Sequence, residues 1–287
     1  MFVLLYNAAL VLEGGAFRGQ YTAGVCDMLL AHHIEFSSVI GVSAGSLNGV
    51  NFVAKQYGRA ANINIQHRHD RDYISMARIF KKKVINMDYL FEDHGLSWRN
   101  FDERAYIRSA SHFTAVATRL ADGKAALFTD MTGEKLTQVL IASCSMPFMM
   151  DPAPTPEGLC LDGGVVDSIP FDVARQQGYD KIVVVRTRDV NYRKKPTSRP
   201  VAKLYRSYFK DYPLFADAGI NRPEVYNRQV AEIEHLERTG QVFNIAPQNP
   251  VKVGRVEPNV KKIRALYETG QREAQAILPN LINYLES

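Results

Sequence analysis

The sequence predicts an α/β protein with a mainly parallel sheet sandwiched by helices, and three observations carry that prediction. The first fifty residues hold two similar units. ALVLE (9–13) leads through the glycine-rich turn GGAFRG (14–19) into the helix-spaced QYTAGVCDMLLAHH, and Ser38–Val42 leads through a turn at Ser43 into AGSLNGVNFVAKQYG. Strand, turn and helix repeated in this order call for right-handed crossovers, which make the strands parallel. KIVVVRT (181–187) is a short continuous apolar run of the kind that a strand buried on both faces requires. Helical stretches between such runs end at breakers: EKLTQVLIASCSMP at Pro147, FDVARQQG at Gly178.

Taken in order, HFTAVATRL and KAALFTDM read as strands joined through Asp122-Gly123, a hairpin signal. GLCLDGG brings another short strand to Asp162. Residues 60–105 are polar and charged with aromatic anchors, which suggests an inserted helical or irregular region. After residue 186 the composition shifts. Arg186–Lys210 holds nine Lys or Arg against one Asp, with Pro196 and Pro200 marking a connector. VYNRQVAEIEHLERTG then reads as an amphipathic helix, VFNIAP as a strand, and the last thirty residues as terminal helices interrupted near Pro279.

Bulk properties exclude little. The 287 residues suit one large α/β domain or two smaller ones, and 46% hydrophobic with 23% charged residues is ordinary for a soluble chain. A net charge of +5 and a pI near 9.0 are compatible with attraction to an anionic surface, without establishing one. Three cysteines (Cys26, Cys144, Cys160), an odd number without metal-like spacing, fit a reducing compartment. The apolar N-terminus lacks a basic segment and a small-residue cleavage site and reads as a first strand rather than a leader. A cytoplasmic protein, peripheral at most to a membrane, is the expectation.

The chemistry concentrates in three places. Gly41-Val42-Ser43-Ala44-Gly45 is a G-x-S-x-G turn, in which a serine stands at a strained strand-to-helix corner and small residues two before and two after let backbones approach. A serine hydroxyl needs a base. Only His235 follows Asp162 in the order expected of a Ser-Asp-His esterase, and its context, AEIEHLERTG, is a polar helix face. Asp162 followed by Gly163-Gly164 is the better candidate, although Asp-Gly is also a common turn pair. A carboxylate can serve as the base where partial burial raises its pKa. GGAFRG can supply backbone N–H groups to an oxyanion, and Arg18 could hold the loop, balance a buried charge or contact a phosphate. A dinucleotide turn would want glycine at Ala16, and Glu35 sits before the second strand rather than at its end.

EGGAFRG, GVSAG and LDGG in this order, together with IASCSMPFMMDP, resemble the patatin-like phospholipase family over about residues 8–180. The resemblance implies a three-layer catalytic domain (8–180) with a C-terminal α/β extension (181–287). It implies a lipid acyl hydrolase in which Ser43 is the nucleophile, Asp162 its only side-chain base, and the loop Gly14, Gly15, Ala16, Phe17, Arg18 and Gly19 the oxyanion hole. The chain departs from the family at Ala16, where glycine is common and positive φ is easier. No metal or organic cofactor is implied, and the expected partner is a lipid or phospholipid ester. Two alternatives stand beside it: a catalytically idle lipid-binding protein on the same scaffold, and a triad esterase using His235. An alcohol acceptor in place of water would make it an acyltransferase.

HRHDRD (67–72) reads as solvated charge rather than a metal site, because positions two apart diverge on a helix. The basic stretch could lie on anionic lipid through Tyr192, Tyr205, Tyr208 and Phe209, or simply be solvated. No nucleic-acid-binding motif accompanies it. The acyl pocket is expected from residues 50–105 and 144–152. Oligomeric state is open.

Overall fold

The computed structural model describes residues 4–75, 77, 84–86 and 101–287. β1 (Leu4–Leu12) lies at the centre of the sheet, with β2 (Ile34–Val42) and β7 (Ile182–Val185) parallel on either side. Outside β2 runs β3 (His112–Arg119) and outside β7 runs β8 (Val242–Ile245), both again parallel. β4 (Ala125–Thr129), and the hairpin of β5 (Ala153–Thr155) with β6 (Gly158–Asp162), complete the sheet by antiparallel pairing at β3. Leu10 and Leu12 of β1 pack into one core and Ala9 and Val11 into another, all fully buried. Successive side chains point to opposite faces, so a central strand covered on both sides must be apolar throughout.

On one face lie α1 (Gly19–Ala31), α2 (Ala44–Val53), α5 (Gly133–Cys144) and α9 (Val260–Glu286), with α3 (Arg59–Gln66) and the short α4 (Glu103–Ile107) at their edge. On the other lie α6 (Phe171–Gln176) and α8 (Pro213–Arg238), and α7 (Arg199–Tyr208) packs against α8 with no buried residue of its own. The expected three layers are present. The strands β7 and β8, both beyond residue 180, continue the same sheet.

Four local readings change. β2 starts earlier than the run at 38–42 suggests, because Ile34–Phe36 pair with Leu4–Tyr6 of β1 ahead of a bulge, while Glu35, Ser37 and Ser38 interrupt the apolar pattern in the sequence. The terminal helix is unbroken through Pro279. An internal proline costs a helix about 3 kcal/mol, but Leu278, Leu281 and Leu285 on both sides of it are buried, which holds the segment in line. The anchor is the contact with α1, where a Cβ on Gly24 would stand 2.2 Å from the Tyr267 carbonyl and one on Gly270 2.2 Å from that of Tyr21. The helix read at 225–240 begins at Pro213, with Pro223 inside it. The proline-marked connector contains α7, and its aromatics are largely packed: Phe209 is buried against Phe215 at 4.7 Å, and Phe148 meets Tyr205 at 4.8 Å. Of the insert read at 60–105, residues 76, 78–83 and 87–100 lie outside the described residues, His94 among them.

Candidate active site

Ser43 occupies the one residue between β2 and α2, with φ 55 and ψ −124. Holding a non-glycine residue there costs about 1–3 kcal/mol, so the surroundings must enforce it. A Cβ on Gly41 would lie 2.5 Å from the Gly45 carbonyl oxygen, and one on Gly45 2.2 Å from that of Leu12, which is why this corner needs glycine on both sides. The Ser43 amide donates to Ser143 Oγ at 2.9 Å, and Ser143 donates in turn to the Val116 carbonyl at 2.7 Å. Ser46 Oγ donates to the Ser43 carbonyl at 2.7 Å. The backbone of the corner is thus tied at both polar groups, leaving the side chain to the site.

Sheet register brings Asp162 to that side chain. Val42 pairs with Val116 of β3, and the next residue of β3, Ala117, pairs with Asp162 of β6. Because β4 holds the other edge of β3 at residues 114–118, β6 takes the edge that β2 vacates. The antiparallel strand therefore ends where the parallel one ends. Ser43 Oγ donates to Asp162 Oδ2 at 2.7 Å, and both residues are buried. Asp162 is held by the Gly164 amide on Oδ1 (2.8 Å), by its own amide on the Ser145 carbonyl (2.8 Å) and by Thr118 Oγ1 on its carbonyl (2.9 Å). Burial pushes its carboxyl above the usual carboxylate range, while Arg222, Ser43, the Gly164 amide and Arg255 pull the other way.

The glycine turn lies alongside. Glu13 is buried and accepts from the Thr187 amide at 2.6 Å, and the Gly14 amide donates to the Ser168 carbonyl at 3.3 Å. Gly14 is therefore engaged. Among the described residues the amides of Gly15 and Ala16 have no acceptor, and both residues line the same cavity as Ser43. Phe17 is buried in the core, and Gly19 opens α1. Arg18 Nε donates to the Val253 carbonyl at 3.0 Å, so of its three readings loop anchorage has a bonded partner. Ala16 adopts φ 49, the left-handed conformation that alanine disfavours. Ala16→Gly should relieve this strain. After allowing for glycine's greater freedom when unfolded, the gain is up to about 1 kcal/mol; chemical denaturation measures it, and a loss of stability would mean that the alanine methyl contributes more than its backbone costs.

Two cavities meet at Ser43. One, of about 90 Å³, is mainly apolar and includes Phe17, Leu47, Ile63, Tyr73, Ile85 and Met146 in its wall. Much of that wall comes from the stretches expected to line an acyl pocket. The other, of about 510 Å³, contains Asp162 as well as Ser43 and is bordered by residues from beyond position 180, including Arg188, Arg222 and Arg255.

His235 is exposed in the last turn of α8, and no imidazole among the described residues bonds to Ser43. Glu35 lies inside β2 and pairs with Lys55 at 2.6 Å. Among the described residues no group of three or more His, Cys, Asp or Glu could hold a metal ion, and no helix is long and apolar enough to cross a membrane. All three cysteines are free and buried. Ser143 and the cationic wall are the features that reading the sequence missed. A serine inside an apolar helix gives no signal, and the basic residues come from separate segments.

The family model for patatin-like phospholipase matches residues 10–175, more than half of the chain, and that for Domain of unknown function (DUF6363) matches residues 212–286. Uncharacterized protein YjjU of Escherichia coli (strain K12) is 32% identical over 184 residues, 62% of this chain and 51% of the relative. Probable lipid hydrolase 463L of Invertebrate iridescent virus 6 is 24% identical over 195 residues, 59% of this chain and 63% of the relative. The match thus spans between half and two thirds of each relative's length. The crystal structure of VipD from Legionella pneumophila aligns with 96% of this chain and 67% of its own, with 13% identity and a TM-score of 0.48.

Proposed function

The chain belongs to the patatin-like phospholipase family, and from that premise we propose that it is a lipid acyl hydrolase working through a Ser43–Asp162 dyad. The observation that carries the proposal is the 2.7 Å bond from Ser43 Oγ to Asp162 Oδ2 at the junction of an apolar and a polar cavity. Asp162 accepts the hydroxyl proton as Ser43 Oγ attacks the ester carbonyl. The oxyanion receives the Gly15 and Ala16 amides, with the nearby start of α1 adding favourable potential. Collapse expels the alcohol, which takes the proton from Asp162 and leaves an acyl-serine. Water then gives its proton to Asp162 as it attacks, and the fatty acid departs as the proton returns to Ser43. An alcohol in place of that water would make the reaction acyl transfer.

The apolar cavity suits the acyl chain, which buries at about 0.8 kcal/mol per methylene. We assign 8–180 as the catalytic unit and 181–287 as an extension that completes the polar side of the same site. Peripheral contact with a bilayer falls to α7, which carries exposed Val201, Leu204 and Tyr208 beside Lys203 and Arg206.

Treatment with a fluorophosphonate tests the reading directly. Ser43 Oγ should displace fluoride, and peptide mass mapping should find the phosphonyl group on Ser43 and nowhere else. A folded protein that remains unlabelled would favour the idle lipid-binding alternative.

A further inference from the structure

The larger cavity is walled by like charges. Arg18 of the glycine turn, Arg188, Lys194 and Lys195 of the segment after β7, Arg222 of α8 and Arg255 of the loop before α9 all line it, against two carboxylates, Glu13 and Asp162. Five of the six lie beyond residue 180. Among the described residues none of the six forms an ion pair, whereas their neighbour Arg193 holds Glu234 at 2.7 Å. Lys194 Nζ and Arg222 Nε instead share one neutral partner, Ser168 Oγ, each at 3.3 Å. Burial pushes Arg18 down to about 10, and Arg188 and Arg255 add to the fall. Burial and then Arg222 hold Lys194 well below the usual lysine range. Half-buried cations that repel one another are stabilised by an anion between them. Guanidinium groups suit phosphate in particular, since their paired N–H groups match its oxygens.

The same cavity contains Ser43 and Asp162, so an anion held there belongs to the molecule being cleaved. Resting on the hydrolase reading above, we propose that this chamber, supplied mainly by the C-terminal extension, binds the headgroup phosphate of the substrate. The substrate class is then glycerolipids ending in a dianionic phosphomonoester, in preference to zwitterionic phosphodiesters, whose ammonium group the wall would repel.

The test compares kcat/KM for dioleoyl phosphatidic acid and dioleoyl phosphatidylcholine in neutral-detergent micelles, beside water-soluble nitrophenyl butyrate. Phosphatidic acid should be preferred by about tenfold or more, the ratio that a single charge-assisted contact supplies. Glycerol 3-phosphate should compete with the butyrate ester. Lys195→Gln with Arg255→Gln, both exposed positions, should bring the lipid preference towards unity through KM rather than kcat. Equal rates on the two lipids would overturn the headgroup assignment while upholding the hydrolase. Competition by glycerol 3-phosphate with equal lipid rates would overturn it in favour of a free-phosphate site. If no ester turns over, the hydrolase reading fails, and calorimetric titration with glycerol 3-phosphate judges the chamber alone. Binding lost in the double variant then upholds the anion site, and no binding to the wild type overturns it.

Discussion

Replacing Ser43 with alanine should lower ester turnover by about 10⁴-fold or more, with the unfolding midpoint moved by no more than about 2–4 °C. The two halves of this prediction have separate causes. The hydroxyl is the only group removed, and with it goes the nucleophile. The corner that presents it is enforced by Gly41, Gly45 and the bonds to Ser143 and Ser46, none of which uses the side chain of residue 43. Alanine inherits the same positive φ at a similar strain. Asp162 loses one bond but keeps that from the Gly164 amide. Nitrophenyl butyrate hydrolysis and thermal unfolding on the same preparation measure both. Retention of more than about one hundredth of the rate would mean that another group attacks the ester.

That corner is legible in the sequence because its constraints are local. A residue at positive φ between a strand and a helix demands small neighbours at fixed offsets, and Gly41 and Gly45 write those offsets into the chain. The strands were legible for a similar reason: five adjacent buried residues, Ala8–Leu12, leave an unbroken apolar run. Asp162 was half legible. Asp-Gly-Gly states that a turn occurs, but its position beside Ser43 depends on β6 filling the edge of β3 that β2 leaves, and the registers of β2 on β3 and of β6 on β3 are not written in any one of the three strands. Ser143 was illegible, since its hydroxyl matters only through the Ser43 amide and the Val116 carbonyl. The charge run from Arg186 to Lys210 was visible as a run. Its division into Arg188, Lys194 and Lys195 facing the site, and Arg193 facing Glu234, depends on the path of the chain after β7. Arg222 and Arg255 join from further away still. Local backbone demands survive in a single sequence; convergence of distant side chains does not.

Asp162→Asn should reduce kcat/KM by about 10²–10⁴-fold, the usual contribution of a general base, and should also remove the acidic limb of the pH profile. The sign follows from burial. The native carboxyl titrates above its ordinary range, so the wild-type rate should rise with pH through that raised pKa and level off once the group is ionised. Asparagine has no such transition. Stability runs the opposite way. Between the unfolded and folded pKa values the native state binds more protons than the unfolded chain, so stability falls as pH rises across that window and stays lower above it. Asparagine can keep an oxygen on the Gly164 amide while carrying no buried charge, although Arg222 then loses a compensating neighbour. At neutral pH the variant should therefore unfold at the same temperature as the wild type or slightly higher while losing nearly all activity. The pair of outcomes separates a base from a turn residue. A turn aspartate replaced by asparagine would leave the rate and its pH dependence unchanged, and a base elsewhere, beginning with His235, would then have to account for the proton.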